Sequence, residues 1–574
     1  MHHNSTLLPA WLRAYRRTDL APDLVAGVTT AVLLVPQAMA YAMLAGLPPI
    51  HGLYASMAPL VLYAVSGRSK VLAVGPVALV ALLVAAAVGD IAEPDSVTYV
   101  ERAILLAWMV GLLQVVMSVA RLGYLLNFLS QPVVLGFTAA AAILIGVSQV
   151  PAFVGWSDVG GSLGAVASAA SSGAPVSVPA LTTGLLSLAA LIAFKRWFRR
   201  APGPLIVIAA ASALVAAAGI GGESVSVVGS VPTSLPWPVV QWPDMEAVRA
   251  LFPAALAIAL VGFMESVSVA RAFSRPEDGP IRGDRELGAL GLANLGAALF
   301  QGFPVAGGFS RTAVNAQAGA RTQFAALVTA AFVLLSIVAF APALAHIPRP
   351  ALAALIMSAV AGLIHVKEMR RLWSVKRADF YLMSLTFLAT LALGIEEGIL
   401  LGAVASLVYV VVLTTRPHYA VLGKLPRRGA WRNVKNFEDA ETTPGVLVLR
   451  FDAQLYYGNT LFVFDAIDRE LARRDEHTRA LVLDMAAVNR LDSSAADALL
   501  QLARRMRAQN VTLRLAQVKG PVMGVLLNAG VVDVVGPDQL YDDVDSAVCG
   551  AARLPDPKPA RGVHGGISEE TTGS

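Results

Sequence analysis

Two stretches decide how this chain is read: Val71-Leu-Ala-Val-Gly-Pro-Val-Ala78 and Gln301-Gly-Phe-Pro-Val-Ala-Gly-Gly-Phe-Ser-Arg311. Each begins as an extended apolar piece, meets glycine or proline, and then reads as a short helix. Both are set in strongly apolar surroundings. Residues 103–120, 132–150 and 322–345 carry no Asp, Glu, Lys or Arg at all. Runs of about 18 or more such residues read as membrane spans. A water-soluble core helix would keep a polar face, and these do not. Irregular backbone inside a bilayer is tolerated only where protein covers it or a water-filled cavity faces it. The two stretches therefore mark a covered or cavity-lining place within a membrane domain.

One interrupted stretch falls in each half of the apolar region. Such a pair is the best sequence pointer to a transporter's binding site. If the halves are inverted repeats, two half-helices point their starts at each other near the midplane. Each start offers unpaired N–H groups and a partial positive charge, which suits an anion. The alternative is that Gly-Pro merely kinks a packed span.

Composition agrees with a membrane protein. Of 574 residues, 56% are hydrophobic and 14% charged, against about 25% charged in a soluble domain. Mean hydropathy is +0.64. The net charge of +5 is small and its basic residues sit mostly at span ends, so nucleic acid is not an expected partner. Cys549, the single cysteine, excludes an internal disulfide framework. No Gly-rich phosphate loop of the GxxxxGK[ST] type is present, which argues against an ATP-driven pump. No Cys/His cluster suggests a metal, and neither a cofactor nor enzymatic activity is expected.

The chain divides into four zones: a cytoplasmic N-terminal segment (1–20), a transmembrane domain (21–415), a cytosolic α/β domain with its linker (416–553) and a Pro/Gly/Ser/Thr-rich tail (554–574) expected to be disordered. Around Trp11 to Arg17 the N-terminal segment is basic and amphipathic, and reads as a helix on the membrane surface rather than a secretory signal. The apolar zone has room for about 14 spans if short ones are allowed. Basic clusters alternate with Lys/Arg-poor loops along it: Lys195, Arg196, Arg199 and Arg200 on one side, 221–244 on the other, Lys367, Arg370 and Arg371 back on the first. The positive-inside rule then places both termini in the cytoplasm.

Four groups carry candidate chemistry. Arg311, deep in the apolar zone and after Gly307-Gly-Phe-Ser310, would add a fixed cation and a hydrogen-bonding fork at a half-helix start. The alternative is snorkelling or a packing ion pair. Glu265 stands in an otherwise uncharged span. Desolvation raises a membrane carboxylate's pKa and a nearby cation lowers it, so Glu265 could load and release a proton; a static pair with Arg311 is the other reading. Gln37 and Tyr41 are four apart on one helix face after Pro36, where an amide can donate to an oxyanion or simply pack. In the C-terminal domain, Asp492-Ser-Ser494 stands at a helix start. Capping alone favours those residues there, and a phosphate on Ser494 would suit the helix dipole. That domain alternates strands at 446–451, 480–484 and 511–516 with helices at 461–473, 494–507, 522–529 and 544–551.

These motifs together resemble the SulP sulfate-permease family. The resemblance rests on Val35-Pro-Gln-Ala-Met-Ala-Tyr-Ala42 with Ala45-Gly-Leu-Pro-Pro49, on Gly307-Gly-Phe-Ser-Arg-Thr-Ala-Val-Asn315, and on the start of a STAS domain at Pro444-Gly-Val-Leu-Val-Leu-Arg-Phe-Asp452 with Leu491-Asp-Ser-Ser494. It covers nearly the whole chain. It implies an α-helical polytopic fold: a seven-plus-seven inverted repeat with two half-helices after short strands, core and gate domains, a homodimer and an elevator motion. It implies a substrate site at Gln37, Tyr41, Val77, Ala78, Phe309, Ser310 and Arg311. It implies proton coupling through Glu265, because the proton-coupled sulfate branch is similar around Met264-Glu-Ser266. Sulfate is then the expected substrate and protons the coupling ion, in a cell membrane, most simply a bacterial inner membrane. A cytosolic regulator at the STAS domain is a further implied partner, and Ser494 matches a position phosphorylated in some relatives, although Ala495-Ala496 replaces the frequent Gly-Leu. Bicarbonate, C4-dicarboxylates, or uncoupled channel or exchange behaviour are the alternatives.

Overall fold

The computed structural model describes residues 9–93, 96–123, 130–156, 159–198, 203–220, 224–229, 234–240, 244–274, 279, 281–427, 429–474 and 478–552. The expected tail 554–574, residues 1–8 and the cations Arg199 and Arg200 lie outside them. The chain forms two compact units, Met1–Leu407 and Val408–Ser574.

In the first unit a one-turn helix α1 (Ala10–Arg13) leads into α2 (Arg17–Leu44), α3 (Ile50–Tyr54) and α4 (Ala58–Ser66). Strand β1 (Val74–Gly75) feeds α5 (Ala78–Gly89). Then come α6 (Val97–Val119), α7 (Gln131–Ser148), α8 (Val150–Val154), α9 (Leu163–Ser171), α10 (Val178–Trp197) and α11 (Gly203–Ala217). The second half repeats the plan with α12 (Met245–Ala272), α13 (Gly283–Leu299), strand β2 (Ala306–Gly307) feeding α14 (Phe309–Gln317), α15 (Phe324–Leu344), α16 (Arg349–Val360), α17 (Val366–Val375), α18 (Arg377–Leu393) and α19 (Ile395–Thr415), whose last turns belong to the second unit. Among the described residues seven helices are long and apolar enough to cross a membrane, and shorter apolar helices such as Ala78–Gly89 and Gly203–Ala217 fill the gaps. This is a polytopic helical membrane fold.

Packing repeats along with order. α6 lies on α12 and α13, and α15 lies correspondingly on α2 and α4. α7 lies on α18, as α10 does on α16. Close approach of α6 and α13 depends on glycine. A Cβ on Gly111 would sit 2.9 Å from the carbonyl of Gly291, and a Cβ on Gly291 would sit 2.9 Å from the carbonyl of Gly111. With no hydrophobic drive between helices in lipid, such small-residue contacts supply the van der Waals packing.

One buried carboxylate fastens the start of α2 to the turn between α14 and α15. Asp23 is fully buried, accepts the backbone N–H groups of Arg321 (2.7 Å) and Thr322 (3.1 Å), and accepts the Thr322 hydroxyl at 2.5 Å.

The second unit holds a six-stranded sheet in the order β4-β3-β5-β6-β7-β8, made of β3 (Tyr419–Lys424), β4 (Trp431–Asn433), β5 (Val446–Phe451), β6 (Ala480–Asp484), β7 (Thr512–Ala516) and β8 (Leu540–Tyr541). β5 to β8 are parallel, while β3 and β4 add antiparallel at one edge. Alternation along β5 sends Leu447, Leu449 and Phe451 to the face covered by α20 (Thr460–Ala472), α21 (Ser493–Ala508), α22 (Gly520–Asn528) and α23 (Val531–Val535). Val446 and Val448 go to the face covered by α24 (Val544–Ala552). The sequence reading finds β5, β6 and β7 and the helices α20, α21, α22 and α24, but not α23 or the two-residue β8. It misses β3 and β4, because their pairing is decided by tertiary register rather than by a local apolar run.

Replacing Asp23 with alanine leaves the two buried Thr322 donors and the partly buried Arg321 N–H without an acceptor. The expected cost is about 3 kcal/mol. A lower melting temperature of the purified protein, partly restored in Asp23→Asn, checks this.

Candidate anion site

The site grows from the pairing of β1 with β2. The strands are antiparallel, with Val74 opposite Gly307 and Gly75 opposite Ala306. Two residues each cannot satisfy an unwound backbone in an apolar bundle, so side chains from four other elements complete it. The Gly308 N–H donates to Ala73 O (3.1 Å), and the Ala73 N–H donates to Thr312 Oγ1 (3.1 Å). Ser266 on α12 accepts the Gly307 N–H at 2.7 Å. Asn294 on α13 clasps Val305 from both sides: Oδ1 accepts its N–H at 2.7 Å and Nδ2 donates to its carbonyl at 3.1 Å. The same amide donates to Gln114 of α6 at 3.0 Å. Asn315 donates to Val71 O at 2.9 Å, and Gln323 donates to Ser69 O. Thr312, Asn315 and Ser266 fall within motifs noted in the sequence but without a role there, and Asn294, Gln114 and Gln323 do not stand out at all. The signal that could have found them is an isolated amide or hydroxyl in an otherwise apolar helix.

With the strands satisfied, the helix starts are what remains. α5 follows Val77, in extended backbone, and α14 follows Gly308; neither start has a side-chain cap. Val77 and Ala78 are buried, so what they bring is the backbone at the start of α5. Arg311, in the first turn of α14, is 1% exposed. Its Nη1 donates to Pro76 O, the residue just ahead of the other helix start. Its Nε and Nη2 are buried and have no partner. Glycine makes this placement possible: a Cβ on Gly308 would stand 2.8 Å from Nη2, and one on Gly75 would stand 3.4 Å from it.

Gln37 of α2 reaches Ser310, with Nε2 donating to Oγ at 3.5 Å, and its Oε1 has no partner. Tyr41, one turn further along α2, is buried as well. Glu265 has a buried, unpartnered Oε2. Its carboxylate makes no direct ion pair with the Arg311 guanidinium among the described residues, yet each group lies within the other's electrostatic reach. Phe309 is 57% exposed and its ring packs against Phe273 with centroids 5.2 Å apart. Gln37, Ser310 and Arg311 are therefore gathered around the two helix starts, with a guanidinium whose Nε and Nη2 lack hydrogen-bond partners at their centre. Such an arrangement binds an anion through backbone N–H groups, two dipole ends and a guanidinium fork.

In the second unit Ser494 is exposed near the start of α21. The helix end is already occupied: Asp492 accepts the Ala495 N–H at 2.8 Å and, with its other oxygen, the Tyr457 N–H at 2.9 Å. Asp492 thus serves as the cap of α21, with Ser494 two residues further along.

A helical membrane bundle with paired half-helices around a buried cation defines the class of secondary anion transporters. The sulfate permease family matches residues 20–386, and a STAS domain matches residues 439–547. The chain is 37% identical over 566 residues to sulfate transporter 4.1, chloroplastic, of Arabidopsis thaliana, covering 95% of this chain and 82% of that protein. It is 36% identical over 540 residues to a probable sulfate transporter of Mycobacterium tuberculosis, covering 93% and 96%. Its fold is similar to that of the murine Solute Carrier 26 family member A9 anion transporter in the inward-facing state, with a TM-score of 0.87, 21% identity and 96% of each chain covered. The transmembrane domain of the cyanobacterial bicarbonate transporter BicA is also similar, with a TM-score of 0.61, 21% identity, and coverage of 68% of this chain and 98% of that one. The chain belongs to the sulfate permease family: it is a multi-pass membrane transporter of anions with a C-terminal STAS domain, in a family of transporters rather than enzymes.

Gly308→Ala forces the guanidinium to shift by several tenths of an ångström. Binding of radiolabelled sulfate to the purified protein is expected to weaken by about tenfold, as for other small misplacements of a binding group. The melting temperature is expected to change little, because the displaced atom is the far end of a flexible side chain.

Proposed function

We propose that the protein imports sulfate together with protons. The observation that carries the reading is the buried Arg311 guanidinium with two unpartnered N–H-bearing nitrogens beside two uncapped helix starts. A buried charge without a partner is costly, and a doubly charged anion that accepts several hydrogen bonds compensates it well. Gln37, Tyr41, Val77, Ala78, Phe309, Ser310 and Arg311 form the substrate set, the last two and Gln37 through side-chain polar atoms. The relatives named as sulfate transporters support the choice of anion.

Glu265 is the proton carrier in this reading. Its buried Oε2 has no partner, and Arg311 lies near enough to act on its charge without a direct ion pair, so a change at one can bias the protonation of the other. When the site is loaded, protonated Glu265 and a dianion together reduce the charge that must cross the apolar interior. Lower external pH favours that state, so uptake rises as external pH falls. The heaviest packing falls within two sets, α2, α4, α6, α12, α13 and α15 on the one hand and α7, α10, α16 and α18 on the other, with α16 meeting α2 between them; this supports an elevator motion of one set against the other. A homodimer provides the fixed frame for it. Basic-residue alternation supports cytoplasmic termini in a cell membrane, such as a bacterial inner membrane, with the STAS domain (416–553) offering a surface, Ser494 included, to a cytosolic regulator.

Three measurements in proteoliposomes test the proposal. Glu265→Gln is expected to retain sulfate counterflow while losing the rise of uptake at acidic external pH; wild-type uptake that ignores external pH would contradict proton coupling. Arg311→Lys keeps the charge but loses the planar fork, and sulfate uptake is expected to fall by about tenfold or more. Stronger competition by bicarbonate or a C4-dicarboxylate than by unlabelled sulfate would contradict the assigned substrate.

A further inference from the structure

Between α16 and α18 the chain leaves the bundle. α17 has the sequence Val-Lys-Glu-Met-Arg-Arg-Leu-Trp-Ser-Val, and none of its ten residues is buried. Its pattern is nonetheless that of a packed helix. At 100° per residue, Val366, Met369, Leu372 and Trp373 share one arc of about 120°, while Lys367, Arg370, Arg371 and Ser374 take the opposite side. Val366 and Trp373 are each 48% exposed. An apolar arc this open to the surroundings on a helix joined directly to an apolar span needs something apolar over it.

The neighbouring contacts fix where that arc lies. The Trp373 ring packs edge-on against Phe380 of α18 with centroids 4.9 Å apart, and Arg377 lies over the same ring at 5.5 Å. The aromatic group therefore sits at the foot of a membrane span, the level at which tryptophan and tyrosine collect in bilayers. The surrounding charge is mostly of one sign. Glu368 is engaged by Arg371 at 3.2 Å. The end of α10 lies close by, with Lys195 Nζ 3.9 Å from where a Cβ on Gly362 would stand. The rim is thus Lys195, Lys367, Arg370, Arg371 and Arg377, set beside an apolar arc.

We propose that α17 is an interfacial helix that selects anionic phospholipids. Val366, Met369, Leu372 and Trp373 enter the acyl boundary, and the basic rim binds the lipid phosphates. Charge complementarity and the attachment of both helix ends to membrane elements favour lipid over an acidic protein partner, which would leave the apolar arc at the bilayer boundary uncovered. Each basic residue held near an anionic surface strengthens attachment to it by about fivefold.

The test uses full-length protein in vesicles in which a brominated lipid is either phosphatidylglycerol or phosphatidylcholine at equal mole fraction. The fluorescence of Trp373 is taken as the difference between wild type and Trp373→Phe. Brominated phosphatidylglycerol is expected to quench it severalfold more than brominated phosphatidylcholine, and the triple variant Lys367→Gln, Arg370→Gln, Arg371→Gln to remove the preference. Equal quenching by the two lipids in the wild type would overturn the selectivity. No quenching by either would show the arc covered by protein and overturn the proposal. Loss of the preference when inorganic phosphate replaces chloride at equal ionic strength would assign the rim to a soluble phosphate and overturn the lipid reading.

Discussion

Backbone that is neither helix nor closed sheet must find hydrogen-bond partners when it lies within a bilayer, and this chain meets that demand at one crossing. β1 and β2 satisfy each other over two residues apiece, and Thr312, Ser266 and Asn294 take up the groups beside them. Every such partner spent on the strands leaves the helix starts as the remaining unsatisfied donors. Arg311 then adds a guanidinium of which only Nη1 has a protein partner. Stability and function thus divide the same few residues between them. Neutral amides and hydroxyls hold the backbone, and the donors left over point to a ligand of negative charge.

Much of this is legible without coordinates because charge and chain irregularity are both rare in apolar sequence. Arg311 and Glu265 stand out for that reason, and so do 71–78 and 301–311, where glycine and proline interrupt otherwise apolar stretches. The roles of Asn294 and Thr312 do not stand out, since they depend on which backbone group a distant segment brings to them. That Glu265 and Arg311 come within electrostatic reach of each other without a direct ion pair is a tertiary fact. Phe309 carries the motif, yet its ring packs on Phe273 with more than half its surface exposed. The amphipathic α17 is visible as a cluster of basic residues, but its apolar arc emerges only when the helix is given bounds.

The soluble unit follows a different logic. Its parallel strands are near-continuous apolar runs covered on both faces, so strand and helix alternate audibly in the sequence. The helix start at Asp492 shows how a regulatory motif and a capping motif can share residues: the carboxylate holds both Ala495 and Tyr457. A negative group added at Ser494 would find the cap already filled by Asp492.

The most direct measurement is an experimental structure with selenate, a heavier analogue of sulfate, located by its anomalous signal. The account predicts a single strong peak within hydrogen-bond distance of the Arg311 guanidinium and of backbone N–H groups at the starts of α5 and α14. A peak elsewhere in the bundle, or continuous helices running through 71–78 and 301–311 with no anion between them, would contradict it.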